Sequence, residues 1–541
     1  MRKPVFNPAA RQVRKQLFAL TLMSLAFLCA APAANAQAKS QAQTMGQWSA
    51  PLNIGVTGIH AALLPNGNVL LWTYSVRRST GPTRAYIYNP TTQTTVDASP
   101  SFNVDFYCGG MSFLADGTLF DTGGQDENGV DRGGVVNTEF FDWTTSTWTQ
   151  GPDMTNGRWY PTNVLMPDGT VLILSGFESS GVTNVHPMEL YDPTTDTISV
   201  LPTSANTPSL TDTYPRMHVL PSGEIFNSGQ AAKSQMYNPV TQTWSFVSTS
   251  NFGERAEGAS VLLPGLETVL AAGGTHTQNA GGATKTAEII NLNNTNPKWA
   301  YTGSMTYARY NHNLVLLADG TVLAVGGNTS SIYTGPVEQA ELYNPATGKW
   351  TVMASQQANR AHHSTALLLP NGTVLSAGSD SNTSLDETVE IFSPPYLFNG
   401  AQPTITSAPT FISYGQVFTI SSPNATSISS VALIKPGVDT HDTNFDQRYV
   451  NLTFTTSAGV ITATAPASGN YAPPGYYMLV IVNTSGVPSV MPFLQLNTAA
   501  NKDLKYSKLH ERRAHLPAAP RPADPKRSND PKDAHRPHMI M

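Results

Sequence analysis

The chain has 541 residues, only two cysteines and a net charge of −5. That length exceeds one ordinary hydrophobic core, so the fold is built from several domains or from repeats. Charge is spread unevenly, +5 over the first 36 residues, +5 from Lys502 onward and therefore −15 between them, which argues against nucleic acid as a partner of the core.

Taken from the N-terminus, Arg2, Lys3, Arg11, Arg14 and Lys15 precede an apolar run from Leu17 to Ala31, and Ala34-Asn35-Ala36 offers a small-x-small cleavage site. This pattern predicts a signal peptide over 1–36 and a secreted, periplasmic or cell-surface protein. The run is too short to cross a bilayer comfortably, and no later stretch is long and apolar enough, so no membrane span is expected. Bulky Phe27 and Leu28 before Cys29 argue against a lipoprotein. Loss of Cys29 with the signal would leave Cys108 alone. A lone cysteine in an exported chain is buried and inert, paired with another chain, or chemically special.

From residue 63 one pattern recurs seven times: apolar strand, turn, apolar strand, then often Gly-Gly. The copies are Leu63 to Trp72, Phe113 to Gly124, Leu165 to Gly176, Val219 to Gly229, Leu262 to Gly274, Leu316 to Gly327 and Leu367 to Gly378. Most contain Asn-Gly or Asp-Gly, the hairpin signal that exploits positive φ. An aromatic turn follows most copies, as in Tyr88-Asn89-Pro90, Tyr191-Asp192-Pro193 and Tyr343-Asn344-Pro345, and Trp148, Trp244 and Trp350 follow several of them. Four strands per unit at a spacing of about 50 residues match kelch-type blades. The prediction is an all-β protein with a seven-bladed kelch-type β-propeller over 37–398.

The blade pattern stops near Pro394-Pro395. Strand-like runs continue at Val417–Ile420, Val431–Ile434, Val450–Phe454 and Met478–Val482, which predicts an immunoglobulin-like β-sandwich over 399–498. Residues 499–541 are basic and rich in proline, a composition expected to remain disordered.

Three motifs precede repeat strands at equivalent places: Cys108, Arg158-Trp159-Tyr160-Pro161-Thr162, and Arg360-Ala361-His362-His363-Ser364. Equivalent positions in a propeller gather on one face around the axis, so these residues can converge. His441 lies in the second domain, within Thr440-His441-Asp442-Thr443-Asn444. On a regular strand His362 and His363 would point to opposite faces. His60, His218 and His312 also sit at blade starts, where structural hydrogen bonding is the expected role; His218 and His312 could instead line the axial mouth. Arg158, Arg216, Arg309 and Arg360 recur at one position, which points to blade packing.

The loop Thr440 to Arg448, the run Pro474-Gly475-Tyr476-Tyr477-Met478-Leu479 and the link Ile391-Phe392-Ser393-Pro394-Pro395-Tyr396-Leu397 together resemble the galactose oxidase and glyoxal oxidase family of radical-copper oxidases. The resemblance covers nearly all of the core. It implies copper held by two histidines and two tyrosines, with one tyrosine joined to a cysteine by a thioether as a protein-derived radical cofactor. Carried over, it makes Tyr160 the radical tyrosine, Cys108 its thioether partner, and His363 and His441 metal ligands. His362 stands where the related pattern has a tyrosine that serves as a metal ligand and proton acceptor. An imidazole can also bind copper and accept a proton. Galactose oxidase covers its thioether with a tryptophan; the corresponding stretch is Ser175-Gly176-Phe177-Glu178, so either Phe177 or nothing covers it here. Trp159 beside Tyr160 is nearer the glyoxal oxidase pattern.

The expected function is an exported copper oxidase. It would take a primary alcohol or aldehyde, or a carbohydrate bearing one, and O2, and give aldehyde or acid plus hydrogen peroxide. The alternative is a non-catalytic extracellular propeller that binds a glycan or surface protein and has a degenerate copper site.

Overall fold

The computed structural model describes residues 41–74, 83–102, 104–125, 133–178, 183–208, 213–277, 282–330, 333–380, 385–501 and 506. The expected signal peptide and nearly all of the basic tail lie outside these residues.

The seven repeats fold into seven sheets whose cores are antiparallel hairpins. Their innermost strands are His60–Leu63, Gly110–Phe113, Thr162–Leu165, Met217–Val219, Ala259–Leu262, Tyr310–Leu316 and Ser364–Leu368. The third blade illustrates the local cause. Thr162–Leu165 pairs with Val171–Leu174 across Pro167-Asp168-Gly169. Gly169 takes φ +92°, and Asp168 Oδ1 accepts the Thr170 N–H at 3.0 Å. Positive φ therefore falls on the glycine, while the acidic residue closes the turn as an Asx cap. The Gly-Gly that ends the second strand has a packing cause. A Cβ at Gly123 would lie 2.2 Å from the Arg158 carbonyl oxygen, and one at Gly326 would lie 2.4 Å from that of Arg360. Only glycine lets the next blade's entry segment come so close.

Inner strands lie side by side from blade two to blade four and from blade five to blade seven, the first lies beside the seventh, and the Val438–Thr440 strand of the second domain lies against the inner strand of blade two. The N-terminal strand Gln47–Trp48 completes the seventh sheet by pairing with Thr388–Ser393, so the two ends of the repeat region share one blade. Tryptophans on outer strands clasp the second, fourth and seventh blades to the one before. Trp148 donates to the Ala98 carbonyl at 2.9 Å, Trp244 to Ala205 at 2.9 Å, and Trp48 to Ala354 at 2.8 Å.

The recurring arginines do pack blades. Arg158, Arg255 and Arg309 pair with Glu189, Glu288 and Glu341 at 2.7, 2.7 and 2.9 Å, and all six side chains are buried or nearly so. Each also donates to a second-strand carbonyl, as Arg158 does to Ser175 at 2.8 Å. Burying an ion pair without such extra bonds would be unfavourable. Arg216 departs from the pattern. It binds the Tyr214 carbonyl and Asp442, a residue of the second domain.

Strands from Phe411–Ser413 to Phe493–Asn497 form a five-stranded and a three-stranded sheet around Phe418, Ile420, Val431, Leu433, Leu479 and Ile481. One hairpin leaves this sandwich. Val438–Thr440 and Thr443–Asn444 extend the first blade's sheet, with Thr440 opposite His60. Its neighbouring side chains satisfy inner-strand groups. Asp439 accepts the Ala366 N–H at 2.7 Å, Asp446 accepts that of Phe113 at 2.6 Å, and Gln447 bonds both backbone groups of Leu316. Four residues of the tail segment 499–541 are described. Ala499–Asn501 forms a 3-10 turn, and Tyr506 is buried beside Phe120, Phe140 and Tyr191, its N–H bonded to Asp116 at 2.7 Å.

Candidate metal centre at the propeller mouth

The entry to each blade after the first holds a non-glycine residue at positive φ. These are Cys108 (60°), Tyr160 (64°), Tyr214 (47°), Glu257 (54°), Asn311 (54°) and His363 (61°), joined by His441 (45°) at the hairpin tip. Such a conformation is unfavourable for side chains with a Cβ, and its concentration at one place marks a site held by its surroundings. The residues are linked through their backbones. Tyr160 N–H donates to Cys108 at 3.1 Å, Tyr214 to Tyr160 at 3.0 Å, and Asn311 to Glu257 at 2.8 Å.

Left-handed turns bring the side chains together. Cys108, His363 and His441 are buried, and one ligand atom from each lies within 4.8 Å of the others. The Cys108 sulfur stands 3.5 Å from His441 Nε2 and hydrogen-bonds the Tyr160 phenol. The turn at His363 also breaks strand alternation. The His362 and His363 rings lie on the same side, with centroids 3.7 Å apart. His362 nonetheless falls outside the tight three-residue cluster, 5.4 Å from the His441 ring.

Partners on the far side of each ring fix its tautomer. Asp380 Oδ1 sits 2.6 Å from His363 Nδ1, so that nitrogen carries the proton and Nε2 is bare. Thr440 Oγ1 donates to the Ile59 carbonyl at 2.8 Å and therefore accepts from His441 Nδ1 at 2.6 Å. Asn311 donates to Asn328 and turns its own oxygen toward His362 Nδ1, at 3.4 Å. All three imidazoles thus keep an unprotonated Nε2, the form that ligates metals.

Electrostatics agree. Burial pushes the Tyr160 phenol well above its ordinary value, and the neighbouring Cys108 raises it further. Burial first, then the adjacent His363, holds His362 far below the usual histidine range. Burial and the surrounding histidines do the same to His441. His362 and His441, whose protonation burial disfavours, stand beside a buried phenol and thiol. Such a pocket takes up a metal by releasing protons. Two imidazole nitrogens with a phenol oxygen are a donor set that suits Cu(II).

The ring over Tyr160 is Trp159, not Phe177. Trp159 and Tyr160 stack at 4.6 Å and 25°, and Phe177 touches Trp159 from behind at 6.0 Å. Trp159 O accepts the Phe177 N–H at 2.7 Å, and this bridge places the indole. His60, His218 and His312 are not at the cluster's open side. His60 Nε2 accepts the Cys108 N–H at 3.1 Å, His218 bonds Ser228 and Ser260, and His312 is fully buried. Motif reasoning did not single out Tyr107, Tyr214, Asn311, Glu257 or Asp380. Only the repeated offset before each inner strand could have located Tyr214, Glu257 and Asn311, and Tyr107 only as the neighbour of Cys108; nothing in the sequence distinguishes Asp380.

This combination of propeller, inserted hairpin and histidine–phenol–thiol cluster is the architecture of a family of copper oxidases. Residues 83–396 match the family described as Glyoxal oxidase N-terminus, and residues 402–496 match the galactose oxidase-like, early set domain. The chain belongs to the galactose oxidase and glyoxal oxidase family of copper-dependent oxidases. Galactose oxidase of Gibberella zeae is 30% identical over 489 residues, spanning 82% of this chain and 70% of that one. Aldehyde oxidase GLOX of Vitis pseudoreticulata is 27% identical over 524 residues, spanning 82% of this chain and 95% of that one. A fungal alcohol oxidase solved in complex with copper shares the fold, with a TM-score of 0.76 at 24% identity over 84% of this chain and 100% of that one.

Proposed function

We propose that this protein is an exported copper-radical oxidase. It converts a primary alcohol and O2 to an aldehyde and H2O2, or an aldehyde hydrate and O2 to the acid and H2O2. The observation that carries this reading is the convergence of His363, His441 and Cys108 within 4.8 Å, with the Tyr160 phenol on the thiol and under Trp159.

His363, His441 and Tyr160 hold the metal. Bound copper supplies one-electron redox chemistry and a Lewis acid for the substrate oxygen. Tyr160 supplies the second one-electron site. A thioether from the Cys108 sulfur to a ring carbon of Tyr160 removes one hydrogen from each side chain, and O2 takes both as H2O2. Sulfur substitution and the stacked indole make the phenol easier to oxidise. Asp380 and Thr440 keep the ligand nitrogens bare and aimed. His362 accepts the proton of the substrate hydroxyl, a role that its depressed basicity makes available at neutral pH.

The test is metal analysis and an absorption spectrum of purified protein before and after mild oxidant, with peroxide release on simple alcohols and aldehydes. One copper per chain is expected, with a visible band that changes on oxidation. His363→Ala and His441→Ala should abolish tight binding, whereas His186→Ala should not, because His186 bonds Thr207 away from the cluster. Full copper stoichiometry in both ligand variants would rule out this donor set.

A further inference from the structure

We propose that Tyr107 supplies a second phenol oxygen to the metal, so that the donors of this chain are His363, His441, Tyr160 and Tyr107. The inference rests on the copper-oxidase reading and adds a ligand to it.

Tyr107 Oη lies 3.2 Å from His363 Nε2, the nitrogen that Asp380 leaves bare. The same phenol hydrogen-bonds the Cys108 thiol, which Tyr160 also contacts. Metal–donor bonds of about 2.0–2.1 Å at roughly a right angle place neighbouring donors about 3 Å apart. The spacing of this phenol and imidazole is therefore that of two ligands on one ion. The ring is held for the purpose. It is buried, and it meets Tyr74 edge-on at 5.1 Å, His363 at 5.6 Å and His60 at 6.2 Å. Tyr74 in turn reaches the Asp380 carboxylate at 3.4 Å, so the phenol and the histidine it faces share one support.

His362 has a weaker claim to the fourth position. Its nitrogens lie outside the 4.8 Å cluster of Cys108, His363 and His441. The blade-seven motif has histidine where the related pattern has tyrosine, while blade two offers a phenol immediately before its cysteine. The site keeps two phenols, and the second enters from a different blade. His362 is then left beside the metal as the proton acceptor.

Full-length protein loaded with Cu(II) tests this by visible absorption, by chelator competition for copper and by peptide mass mapping. Tyr107→Phe keeps the ring and its edge contacts, so a packing role would leave every readout in place. The proposal expects the variant to lose part of the phenolate-to-copper absorption and to bind copper at least about tenfold more weakly. The Cys108–Tyr160 cross-link should still form, and the melting temperature of the metal-free protein should be unchanged. An unaltered band and affinity in Tyr107→Phe would overturn the assignment, as would a cross-link that maps to Tyr107 instead of Tyr160. Those results would leave the copper reading standing. Unaltered copper binding in both Tyr160→Phe and His363→Ala would remove the copper reading and this assignment with it.

Discussion

Each ligand imidazole is only as good as the group behind it. Asp380 and Thr440 touch no reacting atom, yet they decide which nitrogen of His363 and of His441 faces the cluster. Replacing the acceptor by a donor should turn the ring or shift its proton. Asp380→Asn is predicted to weaken copper binding by about 10–100-fold, measured by chelator competition, with smaller loss from Thr440→Val. The behaviour of His362 follows from its burial. A group held far below the usual histidine range stays neutral until the pH is well below 6.5. If it accepts the substrate proton, the acid limb of turnover should lie below pH 6.5, and His362→Tyr should move it. An unchanged profile in His362→Ala would deny the residue any part in proton transfer.

At the scale of elements, the hairpin Val438–Asn444 is the piece on which the site depends. It extends the first blade and carries His441 to the axis, and Asp439 braces it against the seventh blade through the Ala366 N–H. Asp439→Ala would leave that buried donor without an acceptor and should cost about 1–3 kcal/mol of stability. It should also lower copper affinity, because the tip loses its support. Denaturant melts of metal-free and loaded protein separate the two effects. The sequence allowed His441 to be placed in a loop of the second domain. It gave no sign that this loop leaves the sandwich to pair with a strand some 380 residues earlier, because long-range strand pairing has no local signature. Repeat strands were legible for the opposite reason: Asp168-Gly169 and its equivalents write each hairpin into adjacent residues. The exchange of Phe177 for Trp159 as the cover of Tyr160 shows the same limit. The sequence pointed to Phe177 or to no cover at all, whereas the backbone bridge from Phe177 to Trp159 sets the indole on the phenol.

Across the whole molecule, the ring of blades positions six left-handed entries around one axis, and the second domain adds the seventh. The polar groups that line this assembly also set its response to pH. Burial, with Arg448 and Arg216 nearby, lowers His218 to about 3, against an ordinary value of about 6.5. The unfolded chain therefore binds a proton below pH 6.5 that the folded chain refuses. This contribution to stability is intact above pH 6.5 and falls as pH drops, by up to about 2 kcal/mol at pH 5. His218→Gln should flatten the fall in melting temperature of the metal-free protein between pH 7 and pH 5; an identical slope would contradict the argument. The most direct test of the central claim is the intact mass and thiol content of copper-loaded, aerated protein. The account predicts a loss of two hydrogens, no titratable thiol and a cross-linked peptide joining Cys108 to Tyr160. A free thiol at Cys108 after full copper loading would contradict it.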